Sequence, residues 1–123
     1  MKILLAEDDV SIRRFIEVIL QRAGYEILTA EDGLEAMKLA LSNEIDAVVA
    51  DAMMPNLGGY DLCRMMRQNP QFAKIPFIIL SGMDQEQFPN AESQADAYLL
   101  KGNDLKNILT EKLSELLVEK ITI

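Results

Sequence analysis

Five apolar runs of strand length, at residues 3–6, 25–30, 45–51, 76–80 and 97–100, alternate along the chain with segments whose apolar residues recur at helical spacing. That alternation constrains the fold more than any single segment does. A short continuous apolar run is the pattern of a strand buried on both faces. Strands separated by helices lie parallel, joined by right-handed crossovers that put helices on both faces of the sheet. The expectation is a doubly wound α/β domain, (βα)5, with a five-stranded parallel sheet in the order 2-1-3-4-5.

The first helix is marked by Ile12, Phe15, Ile16, Ile19, Leu20 and Ala23 on one face, with Asp9 as its N-cap and Gly24 as its stop. Asp32-Gly33 opens a second helix with Leu34, Met37, Ala40 and Leu41 on its inner side, ending at Asn43. Gly58-Gly59 leads into a short third helix over residues 60–68, closed by Pro70. A last helix begins at Asp104 and turns Leu105, Ile108, Leu109, Leu113, Leu116 and Leu117 inward. Residues 85–94 break the pattern. They are polar and carry Pro89, which would cost an interior helix a hydrogen bond, so a short or irregular helix is expected there.

At 123 residues, half of them hydrophobic, the chain suits one domain over residues 1–123, with no effector domain and no need of disulfide or metal staples. A net charge of -8 repels phosphates and anionic lipid, which argues against direct nucleic-acid binding and against membrane association. No apolar run approaches the ~20 residues of a membrane span. Glu7 interrupts the N-terminal apolar stretch before a signal-peptide core could form, so a cytoplasmic protein is expected. Cys63 is the one cysteine and there is no histidine. Thiol-rich zinc sites, imidazole ligands and Ser-His catalysis are thereby excluded, and chemistry must rest on carboxylates, lysines and hydroxyls.

In a doubly wound sheet, ligands bind at the carboxyl ends of the strands, in the crevice between strands one and three where the order reverses. Glu7, Asp8 and Asp9 follow strand one, Asp51 ends strand three, Ser81 follows strand four and Lys101 follows strand five. Asp51 closes an apolar run, where a carboxylate is costly to bury without partners. Neighbouring strands lie ~4.8 Å apart, so the acids after strand one crowd against it. Such a cluster takes up a proton or is neutralised by a divalent cation, and a cation held by a few oxygens and several waters is the preference of Mg²⁺. Beside a lysine this suits phosphoryl transfer. Cationic groups offset charge on the phosphoryl oxygens while the Asp51 carboxylate attacks phosphorus in line, and the Ser81 hydroxyl donates to the aspartyl phosphate.

Across the whole chain these residues resemble the receiver domain of bacterial two-component response regulators, the CheY-like superfamily with its flavodoxin-like fold. The resemblance implies Glu7 and Asp8 as the acidic pair, Asp51 as phosphoacceptor within Asp51-Ala52-Met53-Met54-Pro55, Ser81 as the switch hydroxyl and Lys101 as the family's lysine. It implies that the backbone carbonyl of Met53 joins Glu7, Asp8 and Asp51 around Mg²⁺, and that Tyr98 is an aromatic switch. As an aromatic on a strand, Tyr98 is equally expected as core packing. The implied partners are a histidine kinase or phosphotransfer protein as donor and a downstream protein target, with a phosphorylation-dependent homodimer as one outcome.

The chain departs from the family pattern at Lys101-Gly102, where Lys-Pro with a cis peptide is usual, and at Gly58-Gly59, where Asp-Gly is common. The first departure allows a trans or mobile backbone beside the lysine. Met53 and Met83 are expected near the site, where apolar bulk would hinder a hydrolytic water. The implied function is a phosphoacceptor that catalyses only its own phosphorylation and dephosphorylation. Two other readings stand beside it: a receiver-like scaffold that works without phosphorylation, and a Mg²⁺-dependent phosphohydrolase with an aspartyl-phosphate intermediate. The phosphohydrolase normally carries a second acid two residues after its nucleophile, and here that residue is Met53.

Overall fold

The computed structural model describes residues 1–82 and 94–121. Within them the apolar runs are strands β1 (Lys2–Ala6), β2 (Glu26–Ala30), β3 (Ala47–Asp51), β4 (Phe77–Ser81) and β5 (Ala97–Leu100). The helices are α1 (Val10–Arg22), α2 (Gly33–Ser42), α3 (Gly59–Arg67) and α4 (Leu105–Ile121). The strands pair in parallel in the order β2-β1-β3-β4-β5, the flavodoxin-like arrangement that the alternation implies. The irregular helix expected around Pro89, and Met83 with it, lie outside the described residues.

Strand alternation divides the core in two. Leu4, Ala6, Val48, Ala50, Phe77 and Ile79 point to one face, where they meet Ala36 and Ala40 of α2 and Leu62, Cys63 and Met66 of α3. Ile3, Leu5, Val49, Ile78 and Leu80 point to the other, against Ile16 and Leu20 of α1 and Leu109, Leu113 and Leu117 of α4. Residues 3–6, 47–50 and 77–80 of the three central strands are therefore all apolar, which is why they read as unbroken runs. Pro76, expected to start β4, lies just before it: lacking an N–H, it only accepts, from the Val48 amide at 2.9 Å.

The helix starts follow their caps. Asp9 accepts from the Ile12 amide and Asp32 from the Glu35 amide, each at 2.9 Å. Gly24, at φ 100, takes the left-handed conformation that closes α1. The expected inner faces are too wide. Phe15, Leu34, Leu41 and Ile108 are exposed, because the stripe of a helix that meets a sheet is narrower than the full set of i, i+3 and i+4 positions. On α2 the expected Ala40 is buried together with Gly33 and Ala36, small residues that let the helix lie close to the sheet.

Register brings the strand ends together. Ala6 lies between Ala30 and Ala50, Asp51 is level with Leu80, and Ser81 is level with Leu100. Glu7, Asp51, Ser81 and Lys101 thus emerge at one rim of the sheet.

Candidate functional site

Glu7 leaves β1 as a buried residue at 1% exposure, its amide still donating to the Ala30 carbonyl at 3.0 Å as though the strand continued. Its carboxylate also accepts from the Asp9 amide at 3.1 Å. Asp8, next in the chain, is exposed, and Asp51 at the end of β3 is 8% exposed. Carboxylate oxygens of Glu7, Asp8 and Asp51 lie within 4.8 Å of one another. The Lys101 ammonium enters from β5, with Nζ 2.6 Å from Glu7 Oε1 and 3.2 Å from Asp51 Oδ2. The Lys101–Gly102 peptide is trans, as no cis peptide occurs among the described residues.

The electrostatics follow from that crowding. Burial pushes the Glu7 carboxyl up from its ordinary 4.5 to about 6, the Asp51 charge adds to the rise, and the bonds from Lys101 and the Asp9 amide only partly offset it. Burial works against the Lys101 charge, yet the bond to Glu7 and the field of Asp51 hold its ammonium above the ordinary value. Three carboxylates facing one ammonium leave two negative charges in excess, so the site favours any added positive charge. A divalent cation matches that excess, and an all-oxygen donor set suits Mg²⁺ better than a softer metal. The residues therefore fit the ion that the acidic cluster implies.

Ser81, the last residue of β4, is 2% exposed, and its carbonyl accepts from the Lys101 amide at 2.8 Å. Tyr98 on β5 is half-buried against the α2–α3 side of the core. Its ring stacks on Tyr60 of α3, centroids 6.4 Å apart and planes at 28°. Met53, two residues past Asp51, is 67% exposed and lines a shallow groove with Met54, Tyr60 and Arg64. Cys63 is fully buried, and burial pushes its thiol up to about 11, as suits an inert core thiol.

Two features of the site have no clear signal in the sequence. Arg13 donates to the Glu7 carbonyl at 2.8 Å and braces the turn that carries the acidic pair, but nothing in the chain distinguishes it from Arg14 beside it. Asn56, in the loop after Asp51, adopts φ 67 and donates to the Asp32 carboxylate at 2.8 Å. The turn-forming set Pro55-Asn56 followed by Gly58-Gly59 marks the loop but not its partner.

The family model described as the response regulator receiver domain matches residues 3–112. The response regulator ArlR of Staphylococcus saprophyticus is 34% identical over 108 residues, which cover 88% of this chain and 49% of ArlR. The chain spans about half the length of the curated relatives it matches. Among solved structures, the response regulator TrrA of Thermotoga maritima, in complex with Mg²⁺-BeF, is similar with a TM-score of 0.85 and 31% identity, covering 94% of this chain and 97% of that one. The receiver domain of the Francisella response regulator 1452 is similar with a TM-score of 0.85 and 33% identity, covering 97% and 98%.

Proposed function

The chain belongs to the response regulator receiver domain family, and from that premise we propose that Asp51 carries the phosphoryl group, with Lys101 and Ser81 as its attendants. An Asp51 oxygen forms the new O–P bond as the P–N bond to a donor imidazole breaks, and the nitrogen leaves with the bonding pair. The Lys101 ammonium, already 3.2 Å from Asp51, is the cation available to a phosphoryl oxygen as charge develops there. The Ser81 hydroxyl donates to the aspartyl phosphate once formed, and Tyr98 senses that occupancy as a switch. Glu7, Asp8, Asp51 and the Met53 carbonyl are the residues that would hold Mg²⁺, which when bound supplies positive charge to the phosphoryl oxygens; the TrrA complex with Mg²⁺-BeF supports this assignment.

A receiver domain has a histidine kinase as its partner, and it is not an enzyme with turnover of external substrates. Beyond that, residues 1–123 act as one receiver unit in the cytoplasm. The unit takes its phosphoryl group from the kinase directly or through a phosphotransfer protein and signals by contact with a downstream protein, itself or a second copy included. Among the described residues no helix is long and apolar enough to cross a membrane.

The observation that carries the reading is the Lys101 ammonium held between Glu7 and Asp51 inside an acidic cluster. Incubation with a small acyl phosphate and Mg²⁺, followed by intact mass, should give a single phosphoryl adduct that is absent in Asp51→Asn and without Mg²⁺. No adduct under any donor would favour the scaffold, and steady phosphate release from unrelated monoesters would favour the phosphohydrolase.

A further inference from the structure

The loop between Asp51 and α3 must present the Met53 carbonyl at a fixed place, yet residues 53–57 belong to neither sheet nor helix. Its internal turn is the contact of the Leu57 amide with the Pro55 carbonyl at 2.7 Å. Its outward anchor is the N-terminus of α2. The Gly33 amide donates to the Leu57 carbonyl at 2.9 Å, and Asn56 Nδ2 donates to Asp32 Oδ2 at 2.8 Å. The approach is close: a Cβ on Gly33 would lie 2.3 Å from the Leu57 carbonyl oxygen.

Asp32 serves two elements at once. Oδ1 caps α2 through the Glu35 amide while Oδ2 receives Asn56. Its carboxyl is held below the ordinary range, first by the Glu35 amide and then by Asn56. Asn56 reaches it only by adopting φ 67, a left-handed conformation that Asn tolerates better than most residues but that still costs energy against an ordinary turn. A strained residue whose side chain spans two elements fixes the loop rather than merely decorating it.

We propose that Asp32 and Asn56 are positioning residues for the metal and phosphoryl site: their hydrogen bond locks the loop after Asp51 in the conformation that Mg²⁺ binding requires. The inference rests on the functional reading above. Mg²⁺ tolerates little departure from octahedral geometry, so a loop ligand that wanders weakens binding even when the carboxylates are intact. Neither residue touches the ion in this scheme. Both act through the backbone of residues 53–57.

Two substitutions separate this role from ordinary fold stability. Asn56→Gly keeps the left-handed backbone and loses the bond, and Asp32→Ser keeps a cap for the Glu35 amide and loses the acceptor. Mg²⁺ affinity is read by calorimetry on the unphosphorylated protein, and the melting temperature is read in chelator. Each variant should weaken Mg²⁺ about tenfold, as outer-shell partners commonly do, while its metal-free melting temperature stays within a few degrees of the parent. The double variant should be no weaker than the worse single one, because the bond is lost only once. Parent binding with unchanged variants, or losses that add in the double variant, would overturn the positioning role alone. Failure of the parent chain to bind Mg²⁺ would instead overturn the functional reading, and this inference with it.

Discussion

Glu7 is the residue at which fold and site pull in opposite directions. Its position at the end of a buried strand excludes water, while its carboxylate faces Asp51 and one ammonium shared between them. The folded protein therefore holds the Glu7 proton more tightly than the unfolded chain does. Stability from this group is fully present below pH 4.5 and is lost as pH rises through about 6. The shift corresponds to about 2 kcal/mol, which the metal-free protein forgoes at neutral pH. Glu7→Gln removes the charge and keeps an acceptor for Lys101, so in chelator at pH 7.5 it should be more stable than the parent by up to about 2 kcal/mol, with the gain vanishing near pH 4. Urea titrations at the two pH values check this. A less stable variant at pH 7.5 would mean that the ion pair to Lys101 outweighs the burial. The sequence placed Glu7, Asp8, Asp51 and Lys101 at one rim because strand ends are legible from apolar runs. It did not reveal that Glu7 is buried and Asp8 exposed, since that depends on the one extra ladder bond from Glu7 to Ala30.

At the level of elements, α3 shows how the acceptor strand dictates a neighbour's composition. Gly59 begins the helix, and a Cβ there would lie 2.5 Å from the Asp51 carbonyl oxygen; one on Gly58 would lie 2.6 Å from that of Ala52. The pair departs from the family's usual Asp-Gly, and in this chain both positions are pressed against the backbone of residues 51–52. Helix propensity and packing make opposite predictions for Gly59→Ala. Propensity favours alanine by about 1 kcal/mol, whereas overlap with unyielding backbone costs about 1–3 kcal/mol. Packing should win, giving a variant less stable by denaturant titration, and a stabilised one would show that α3 can slide outward freely. The other helices show which features are local enough to be read from sequence. Caps and stops at Asp9, Gly24, Asp32 and Asn43 were legible because each acts within a few residues. Which rim residues of a helix face solvent was not, because Phe15, Leu34, Leu41 and Ile108 depend on how closely each helix approaches the sheet.

For the molecule as a whole, a chain of net charge -8 gathers three carboxylates at one rim of its sheet, so part of its folding energy is spent holding like charges together. The topology was legible because both faces of β1, β3 and β4 are covered, leaving unbroken apolar runs; the clamp from Asp32 to Asn56 was not, because it joins residues 24 apart through a loop of no fixed pattern. Relief of the crowding should appear as global stability. A cation bound only by the folded state stabilises it by RT ln(1 + [L]/Kd), about 1.4 kcal/mol at ten times Kd. Added Mg²⁺ should therefore raise the melting temperature at pH 8, chelator should reverse the rise, and Asp51→Asn should blunt it. Protons compete for the same oxygens. With the Glu7 carboxyl at about 6, the gain from a fixed Mg²⁺ concentration should shrink as pH falls from 8 to 5. Melting curves with and without Mg²⁺ across that range give the answer directly. A gain that does not change with pH would remove Glu7 from the metal's surroundings and leave Asp8, Asp51 and the Met53 carbonyl to hold it.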